Sequence, residues 1–383
     1  MRKAIILLLP FFALMSCNRH IAKNQNMEQE SFTNKLFYSI SENKAKENFV
    51  FSPLSLETDL ALCATGTAGR TAQEFYSLLG FNSSGKADSS YSSLSRTLPS
   101  ADTSVVFSIA NSIWADSDVQ LLPDYVGRAQ EYYDAAARSL DFASGRAAEE
   151  VNSWIEDKTR GLVRNVLSEP VEADLLLVNA LYFKGEWQWR MTEFPKPQAF
   201  YGISGVGEEV YLTLKKPLQY FENADFKAVS LPYGNGNYSF IVLLPNEGCF
   251  EKVSKALPNP GTLLGKMDDE MDVKLALPKM EMECSLALKP YLQQLGLSDA
   301  FGKEADFSRM SLQSLRLTEV LQKSRIIVNE LGTEAASSTI AMVGLTAMPR
   351  PAPVREFRAD RPYIYMIYEK SSNTVLFIGQ KVK

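Results

Sequence analysis

One stretch of this sequence is apolar almost throughout, and it limits the folds open to the chain. It reads LLLVNALYF and runs from Leu175 to Phe183, with Asn179 as its strongly polar member. A strand that is exposed to water on one face alternates apolar and polar residues, whereas a strand covered on both faces does not. The run therefore predicts a central strand of a sheet that is buried on both sides.

The patterns on either side of this run differ in kind. The serine-rich stretch Asn82 to Ser104 predicts a loop or a short helix, while the other helical patterns are Glu28–Asn43, Leu54–Ala64, Thr71–Leu79, Pro123–Tyr133, Ala147–Val166 and Leu286–Leu297. Strand patterns prevail in the second half: Val210–Leu214, Ala228–Leu231, Tyr238–Leu244, Val273–Leu277, Arg325–Val328, Tyr363–Tyr368 and Thr374–Ile378. Helices that precede most of the strands predict an α+β fold rather than a doubly wound sheet.

The histidine count excludes several kinds of active site. The only histidine, His20, lies near the N-terminus, so the rest of the chain offers no Ser-His-Asp triad, no Cys-His pair and no histidine-bearing zinc site. No dinucleotide-binding glycine pattern is present, and the formal net charge of -5 gives no reason to expect nucleic acid as a partner. We therefore expect neither an enzyme nor a bound cofactor or metal ion.

The N-terminus has the pattern of a targeting segment. Arg2 and Lys3 precede an apolar run, and the run ends in LMSC, which resembles the lipobox of bacterial lipoproteins. This predicts a signal peptide over residues 1–16, lipidation of Cys17 and a flexible tether over residues 17–27. Asn18 after the cysteine favours the bacterial outer membrane, facing the periplasm or the cell surface. An ordinary signal peptide with a coincidental cysteine is the alternative.

Several motifs along the chain together resemble those of the serpin family. In chain order they read NFVFSPLSL, GTAGRT, NSWIEDKTRGLV, LVNALYFKGEW, LPKM, LQQLGLSDAF, ADFS, FRADRPYIYMI and VLFIGQ. The resemblance implies a single domain over residues 28–383 with three β-sheets, about eight or nine helices and an exposed reactive-centre loop at about residues 330–356. It also implies a monomer whose partners are proteases.

The same resemblance gives a role to the small residues that follow the strand pattern RIIV. In serpins a protease cleaves the reactive loop as bait and is held as an acyl-enzyme, while the freed segment enters the large sheet as a new strand. The corresponding hinge here contains Glu330, Gly332, Thr333, Glu334, Ala335 and Ala336. Strand alternation places Thr333 and Ala335 on one face and the glutamates on the other. A linker that is small by chance is the alternative.

Family spacing, counted from Glu330, places the cleaved bond between Thr346 and Ala347, with Leu345 and Met348 as alternates. Arg350 is a poor bait for trypsin-like proteases because Pro351 follows it. Small residues at the bond favour elastase-like or subtilisin-like serine proteases, whereas Leu345 suits chymotrypsin-like or papain-like enzymes.

A second set of residues matches the serpin shutter, a hydrogen-bonded group beneath the central strands. The shutter residues here are Ser52, Ser55, Asn179 and Gln322. The family commonly carries His-Lys where this chain has Gln322-Lys323, and glutamine forms hydrogen bonds without titrating. The resemblance thus favours an inhibitor of serine proteases, and it leaves a non-inhibitory binding or carrier protein as the alternative.

Overall fold

The computed structural model describes residues 32–81, 84–168, 170–269, 272–333 and 354–383. The α-helices of these residues are α1 (32–43), α2 (Pro53–Thr65), α3 (Gly69–Leu79), α4 (Ser84–Ala101), α5 (Pro123–Tyr133), α6 (Ala147–Lys158), α7 (Phe250–Lys255), α8 (Pro260–Leu264) and α9 (Lys289–Gln294). The strands are β1 (Phe49–Phe51), β2 (Val105–Asp116), β3 (Ala136–Leu140), β4 (Leu175–Glu186), β5 (Thr192–Glu193), β6 (Gln198–Gly202), β7 (Gly205–Glu209), β8 (Tyr211–Pro217), β9 (Gln219–Glu222), β10 (Phe226–Pro232), β11 (Tyr238–Pro245), β12 (Asp272–Pro278), β13 (Met280–Ala287), β14 (Glu319–Val328), β15 (Gly332–Thr333), β16 (Arg355–Arg358), β17 (Tyr363–Glu369) and β18 (Thr374–Lys381).

The strands form three sheets and one separate hairpin in the described part of the chain. The large sheet has the order β13-β14-β15-β4-β2-β3, the second has the order β1-β18-β17-β11-β10-β9, and the third has the order β16-β12-β8-β5. The hairpin consists of β6 and β7. The α+β class and the three sheets are confirmed, and the hairpin is an addition to them.

The apolar run that opened the sequence analysis is the centre of the large sheet. It lies in β4, whose first nine residues are all buried. On one side β4 pairs antiparallel with β2 along nearly its whole length, and on the other side it pairs in parallel with β14. The prediction of a central strand that is covered on both faces is confirmed.

Helix α2 covers the back of the central strands. Ser52 is its N-cap, whose side chain accepts a hydrogen bond from the Ser55 backbone N–H, and Pro53 occupies the first turn, where a missing N–H costs little. Every residue of α2 is buried, because the helix packs between the strands β2 and β4 and the helices α3, α4 and α5. Polar side chains on α2 therefore lie inside the protein, directly beneath the large sheet.

The prediction of a loop or a short helix at Asn82 to Ser104 is wrong. The structure has the long helix α4 there, Ser84–Ala101. Its serines are poor helix formers, but its apolar residues recur every three or four positions and pack against the core: Ala87, Tyr91, Leu94 and Leu98. Burial of this stripe outweighs the weak intrinsic propensity, as is usual for helices in globular proteins.

Two other predicted helices are shorter than expected. Helix α6 ends at Lys158 rather than Val166, because Arg160 and Gly161 have positive φ angles of 55° and 78° that end the helical path. The helix expected at Leu286–Leu297 is reduced to α9, because its first residues belong to β13. Strand β13 was not predicted, although its alternating sequence MEMECSLA carries the pattern.

No helix in the described ranges is both long and apolar enough to span a membrane.

Candidate functional site

The large sheet is parted at one end, between its two central parallel strands. Strands β14 and β4 pair directly over Glu319–Ser324 and Leu176–Leu181. Beyond these residues the two strands separate, and β15 occupies the space between them. Gly332 and Thr333 pair with Glu186 and Gly185 of β4, and Thr333 also pairs with Val328 of β14. The first residues of the predicted hinge therefore begin a strand inside the sheet.

A tight turn brings the chain from β14 back into this gap. The Asn329 side-chain oxygen accepts hydrogen bonds from the backbone N–H groups of Leu331 (2.9 Å) and Gly332 (3.1 Å), and the Asn329 N–H donates to the Gly332 carbonyl oxygen (2.9 Å). The Trp187 indole N–H donates to the Asn329 carbonyl oxygen at 2.8 Å. Asparagine suits such a turn because its side chain bonds nearby backbone groups.

Glycine is required at the first position of β15. A Cβ atom on Gly332 would lie 2.1 Å from the Gly185 carbonyl oxygen and 2.8 Å from the Glu186 Cα atom. Both contacts are with backbone atoms, so a side chain at this position would push β15 away from β4.

The Thr333 side chain is directed into the protein and is only 1% exposed. Its Oγ1 atom shares a hydrogen bond of 2.5 Å with the Tyr233 hydroxyl. The Tyr233 ring stacks on the Trp187 ring, with centroids 4.4 Å apart and planes 12° apart. Burial raises the pKa of Tyr233 well above its usual value, so the phenol stays neutral. The Thr333 side chain is thus buried against a stacked pair of aromatic rings.

Glu330, which precedes the gap, is held on the opposite side of the turn. Its carboxylate lies 3.3 Å from the Lys279 ammonium group, which also pairs with Glu193. The pKa of Glu330 is lowered, first by a hydrogen bond from its own backbone N–H and then by Lys279, while partial burial opposes the shift. The Glu330 carbonyl oxygen accepts the Met191 N–H at 2.9 Å. The start of the hinge is therefore fixed in place.

The structure brings the shutter residues together below the gap. The Gln322 amide N–H₂ donates to the Asn179 side-chain oxygen and to the Ser52 carbonyl oxygen, both at 3.0 Å, and the Gln322 side-chain oxygen accepts the Ser52 N–H at 2.8 Å. The Asn179 amide donates to the Ser55 hydroxyl and to the Asn111 side-chain oxygen, the latter at 2.6 Å. All five side chains are buried.

This network closes the sheet at the point where a new strand would have to pass. Gln322 of β14 and Asn179 of β4 are direct partners in the parallel pairing. A strand that entered between β14 and β4 would separate these two side chains and break the hydrogen bond that joins them. The network also ties both strands to α2 through Ser52 and Ser55.

Sequence reasoning missed three parts of this arrangement. Asn111 of β2 belongs to the network and was not among the predicted shutter residues. Tyr233 and Lys279 were missed because nothing in the local sequence indicates that they meet Thr333 and Glu330, which are distant along the chain.

The other predicted site residues lie outside the described residues: Cys17, Glu334, Ala335, Ala336, Leu345, Thr346, Ala347 and Met348. Within the described ranges, no group of three or more His, Cys, Asp or Glu side chains is arranged to hold a metal ion.

Comparison with known proteins identifies the family. A family model described as serpin (serine protease inhibitor) matches residues 27–383. A serpin-like protein of Thermococcus kodakarensis is 33% identical over 361 residues, which cover 91% of this chain and 83% of that protein. The leukocyte elastase inhibitor of Sus scrofa is 30% identical, with 92% of this chain and 99% of the inhibitor covered.

A solved structure agrees with these sequence matches. The thermophilic serpin tengpin, in its native state, superposes with a TM-score of 0.84 at 27% identity, covering 95% of this chain and 94% of tengpin. The parted sheet, the matching sequence and the shared fold lead to one conclusion. The chain is a member of the serpin family.

Proposed function

We propose that this protein inhibits serine endopeptidases as a suicide substrate, by inserting its cleaved reactive loop into the large sheet. The observation that carries the proposal is the position of Gly332 and Thr333, which already form a two-residue strand between β4 and β14. The strands below them are still paired directly with each other. The site is that of a sheet whose strands β14 and β4 are ready to admit more of the same segment between them.

The residues that follow Thr333 suit this entry. Strand alternation assigns Ala335, Ser337, Thr339 and Ala341 to the same face as Thr333, and all of them are small. Small side chains enter a packed interior without overpacking it. Each hydrogen bond that the inserted strand gains contributes about 0.5–1.5 kcal/mol net, which offsets the bonds lost when Gln322 and Asn179 separate.

The chemical step belongs to the target protease. Its serine hydroxyl oxygen forms a bond to the carbonyl carbon of Thr346, and the peptide bond between Thr346 and Ala347 breaks. The proton of the hydroxyl passes through the protease's general base to the departing Ala347 amine. Insertion of the segment that ends at Thr346 then carries the ester-linked protease away from its original position before water can hydrolyse the ester. The inhibitor itself needs no catalytic residue, so we assign it no enzymatic activity.

We propose elastase-like or subtilisin-like serine proteases as the preferred targets, with papain-like cysteine proteases as a second class. The small side chains of Thr346 and Ala347 support this choice, and Leu345 and Met348 are the alternate cleavage positions. The names of the relatives give independent support, because several of them are leukocyte elastase inhibitors.

We further propose that the protein acts as a lipid-anchored monomer. The LMSC sequence supports lipidation of Cys17, residues 17–27 then serve as a tether, and the inhibitor domain follows over residues 28–383. Asn18 supports the outer membrane rather than the inner one. Mass spectrometry of the mature N-terminus tests this: a diacylated or triacylated Cys17 is expected, and an unmodified cysteine would refute the anchor.

Incubation of the purified protein with a panel of serine and cysteine proteases tests the inhibitory function. We expect a complex with elastase-like or subtilisin-like enzymes that survives boiling in detergent, and a released peptide that begins at Ala347. The Thr333→Arg variant places a charge where the side chain is buried against Tyr233, and desolvation of that charge opposes insertion. It should be cleaved as a substrate with little complex formed.

The Glu334→Arg variant is the matched control. By strand alternation residue 334 faces the opposite side from Thr333, so an arginine there leaves insertion unhindered. Cleavage without trapping by the wild type would instead favour a non-inhibitory binding or carrier protein. Equal trapping by the wild type and Thr333→Arg would refute insertion of a strand that buries residue 333.

A further inference from the structure

The outer face of the third sheet contains a hollow. Its floor is a row of small residues that lie side by side on three strands: Thr192 of β5, Thr213 of β8 and Ala276 of β12. Their neighbours along the two longer strands, Leu212 and Leu277, are buried in the core, so strand alternation turns the small residues outward. The hollow has a volume of about 630 Å³, within the range of about 300–1,000 Å³ that small-molecule sites occupy.

Basic side chains surround this floor. They are Arg190, Lys215, Lys274 and Arg358, and Glu356 is the one acid among the described residues that line the hollow. The lining therefore carries an excess of positive charge, although the formal net charge of the whole chain is -5. An anion is the ligand that such a lining favours.

Two of the cations oppose each other directly. Lys215 and Lys274 are cross-strand partners in the antiparallel pairing of β8 and β12, and like charges in such a pair destabilise a sheet. The Lys274 ammonium lies 3.1 Å from the Glu356 carboxylate, and the Lys215 ammonium lies 3.7 Å from the Asp272 carboxylate. Both lysines are exposed, and ion pairs of exposed lysines stabilise a protein little. The repulsion between the two lysines is therefore only partly offset.

The rest of the rim combines a held cation with apolar surface. Arg358, the partner of Ala276 on β16, has its guanidinium carbon 4.6 Å from the centroid of the Tyr211 ring, and Asp360 lies 3.3 Å from its Nε atom. The ring and the carboxylate hold the planar group at the edge of the hollow. Phe194 also lines the hollow and is 42% exposed. Exposed aromatic surface beside cations suits a ligand that has an apolar body as well as a negative charge.

We propose that this hollow binds a small organic anion, with its carboxylate or sulfonate group between Lys215 and Lys274 and its apolar body on the floor beside Phe194. One negative group in this position pairs with both lysines and removes the repulsion between them. The inference does not rest on the proposed function, because the hollow lies on the third sheet and the gap lies in the large sheet.

The acids next to the hollow favour a compact ligand over a polyanion. Three carboxylates lie beside the cations of the rim: Asp272, Glu356 and Asp360. An acidic peptide or a sulfated polysaccharide that extended beyond the hollow would be repelled by these groups, whereas a small anion stays among the cations.

Isothermal titration calorimetry of the intact protein tests the proposal, with octanoate and naphthalenesulfonate as aliphatic and aromatic probes at low ionic strength. We expect one probe molecule to bind to each molecule of the wild type. The double variant Lys215→Met, Lys274→Met keeps two long side chains but loses both charges, and it should bind at least about tenfold more weakly. Lys216→Met is the matched control, because Lys216 is the next exposed residue of β8 and alternation places it on the other face. This control should bind as the wild type does, and equal affinities in the wild type and the double variant would overturn the proposal.

A second variant tests the hollow itself and covers the case in which the double variant does not fold. Ala276→Leu fills the floor without changing any charge, so it should abolish binding of both probes and the rise in melting temperature that they give the wild type. Unchanged binding by this variant would overturn the proposal, and so would the absence of binding of either probe by the wild type. If polyglutamate then binds and the double variant loses that binding, the cations serve an acidic macromolecule instead. No protease enters these measurements, so their outcome is independent of whether the protein inhibits one.

Discussion

Replacement of Gln322 by leucine should weaken the closed sheet far more than the inserted one. The Gln322 side chain makes three hydrogen bonds, to the Ser52 N–H, the Ser52 carbonyl oxygen and the Asn179 side-chain oxygen. Leucine has a similar volume and makes none of them. The Ser52 carbonyl oxygen keeps the Leu56 N–H as a donor at 3.2 Å. The Ser52 N–H and the Asn179 oxygen are left buried without a partner.

The magnitude follows from these two groups. Each unsatisfied buried group costs about 1–3 kcal/mol, so the closed protein should lose about 2–6 kcal/mol. In the inserted form the new strand already separates Gln322 from Asn179, so that form should lose less. Because opening breaks these bonds, spontaneous insertion of the uncleaved loop should be at least about tenfold faster in the variant.

The assay compares the intact and the loop-cleaved protein for each variant, by thermal unfolding and by the rate at which the intact protein loses trapping activity. Gln380→Leu is a matched control. Gln380 is also buried and makes three hydrogen bonds, to Ser41, Lys44 and Glu47, but it lies in the second sheet, away from the gap. The Gln380→Leu variant should lower the stability of intact and cleaved protein equally. If Gln322→Leu also lowers the stability of the intact and the cleaved protein equally, the role given to the shutter is refuted.

Two further predictions concern the entrance to the gap. Gly332→Ala should reduce trapping and increase turnover of the inhibitor as a substrate, because the added Cβ meets the Gly185 carbonyl oxygen; a normal stoichiometry of inhibition would contradict this. The lowered pKa of Glu330 means that its contribution to stability is present above the unfolded pKa of 4.5 and is lost as the pH falls through the folded value. Lys279→Met should reduce this loss of stability at low pH, which denaturation midpoints of the intact protein measured at and below pH 4.5 will show. If the midpoints of the variant fall with pH as steeply as those of the wild type, the ion pair does not contribute to the stability.

The parts of the fold that could be predicted from the sequence are those in which one strong pattern acts alone. The run Leu175–Phe183 has no competing helical or turn signal, and it forms the central strand β4. Helix α5 was predicted with the bounds that the structure has, because Pro123 marks its first turn. The residues of α4 could not be assigned in this way, since their serines and their apolar stripe point to different structures and only tertiary packing decides between them.

The candidate site was predictable where strand alternation or a motif applied, and it was not predictable where distant residues meet. Alternation placed Thr333 and the hinge glutamates on different faces, and the structure has the Thr333 side chain buried. The meeting of Thr333 with Tyr233 depends on the sheet and the loop after β10, which no local pattern encodes.

The thermal stability of the intact and the loop-cleaved protein tests the central claim most directly. If the hinge is stored at the entrance of the sheet, the intact protein is not in its most stable arrangement. Cleavage between Thr346 and Ala347 should then raise the melting temperature strongly, although it breaks the backbone, because the freed segment gains strand hydrogen bonds and burial. In Thr333→Arg the increase should be largely lost. Equal melting temperatures for the intact and cleaved wild type would contradict the account.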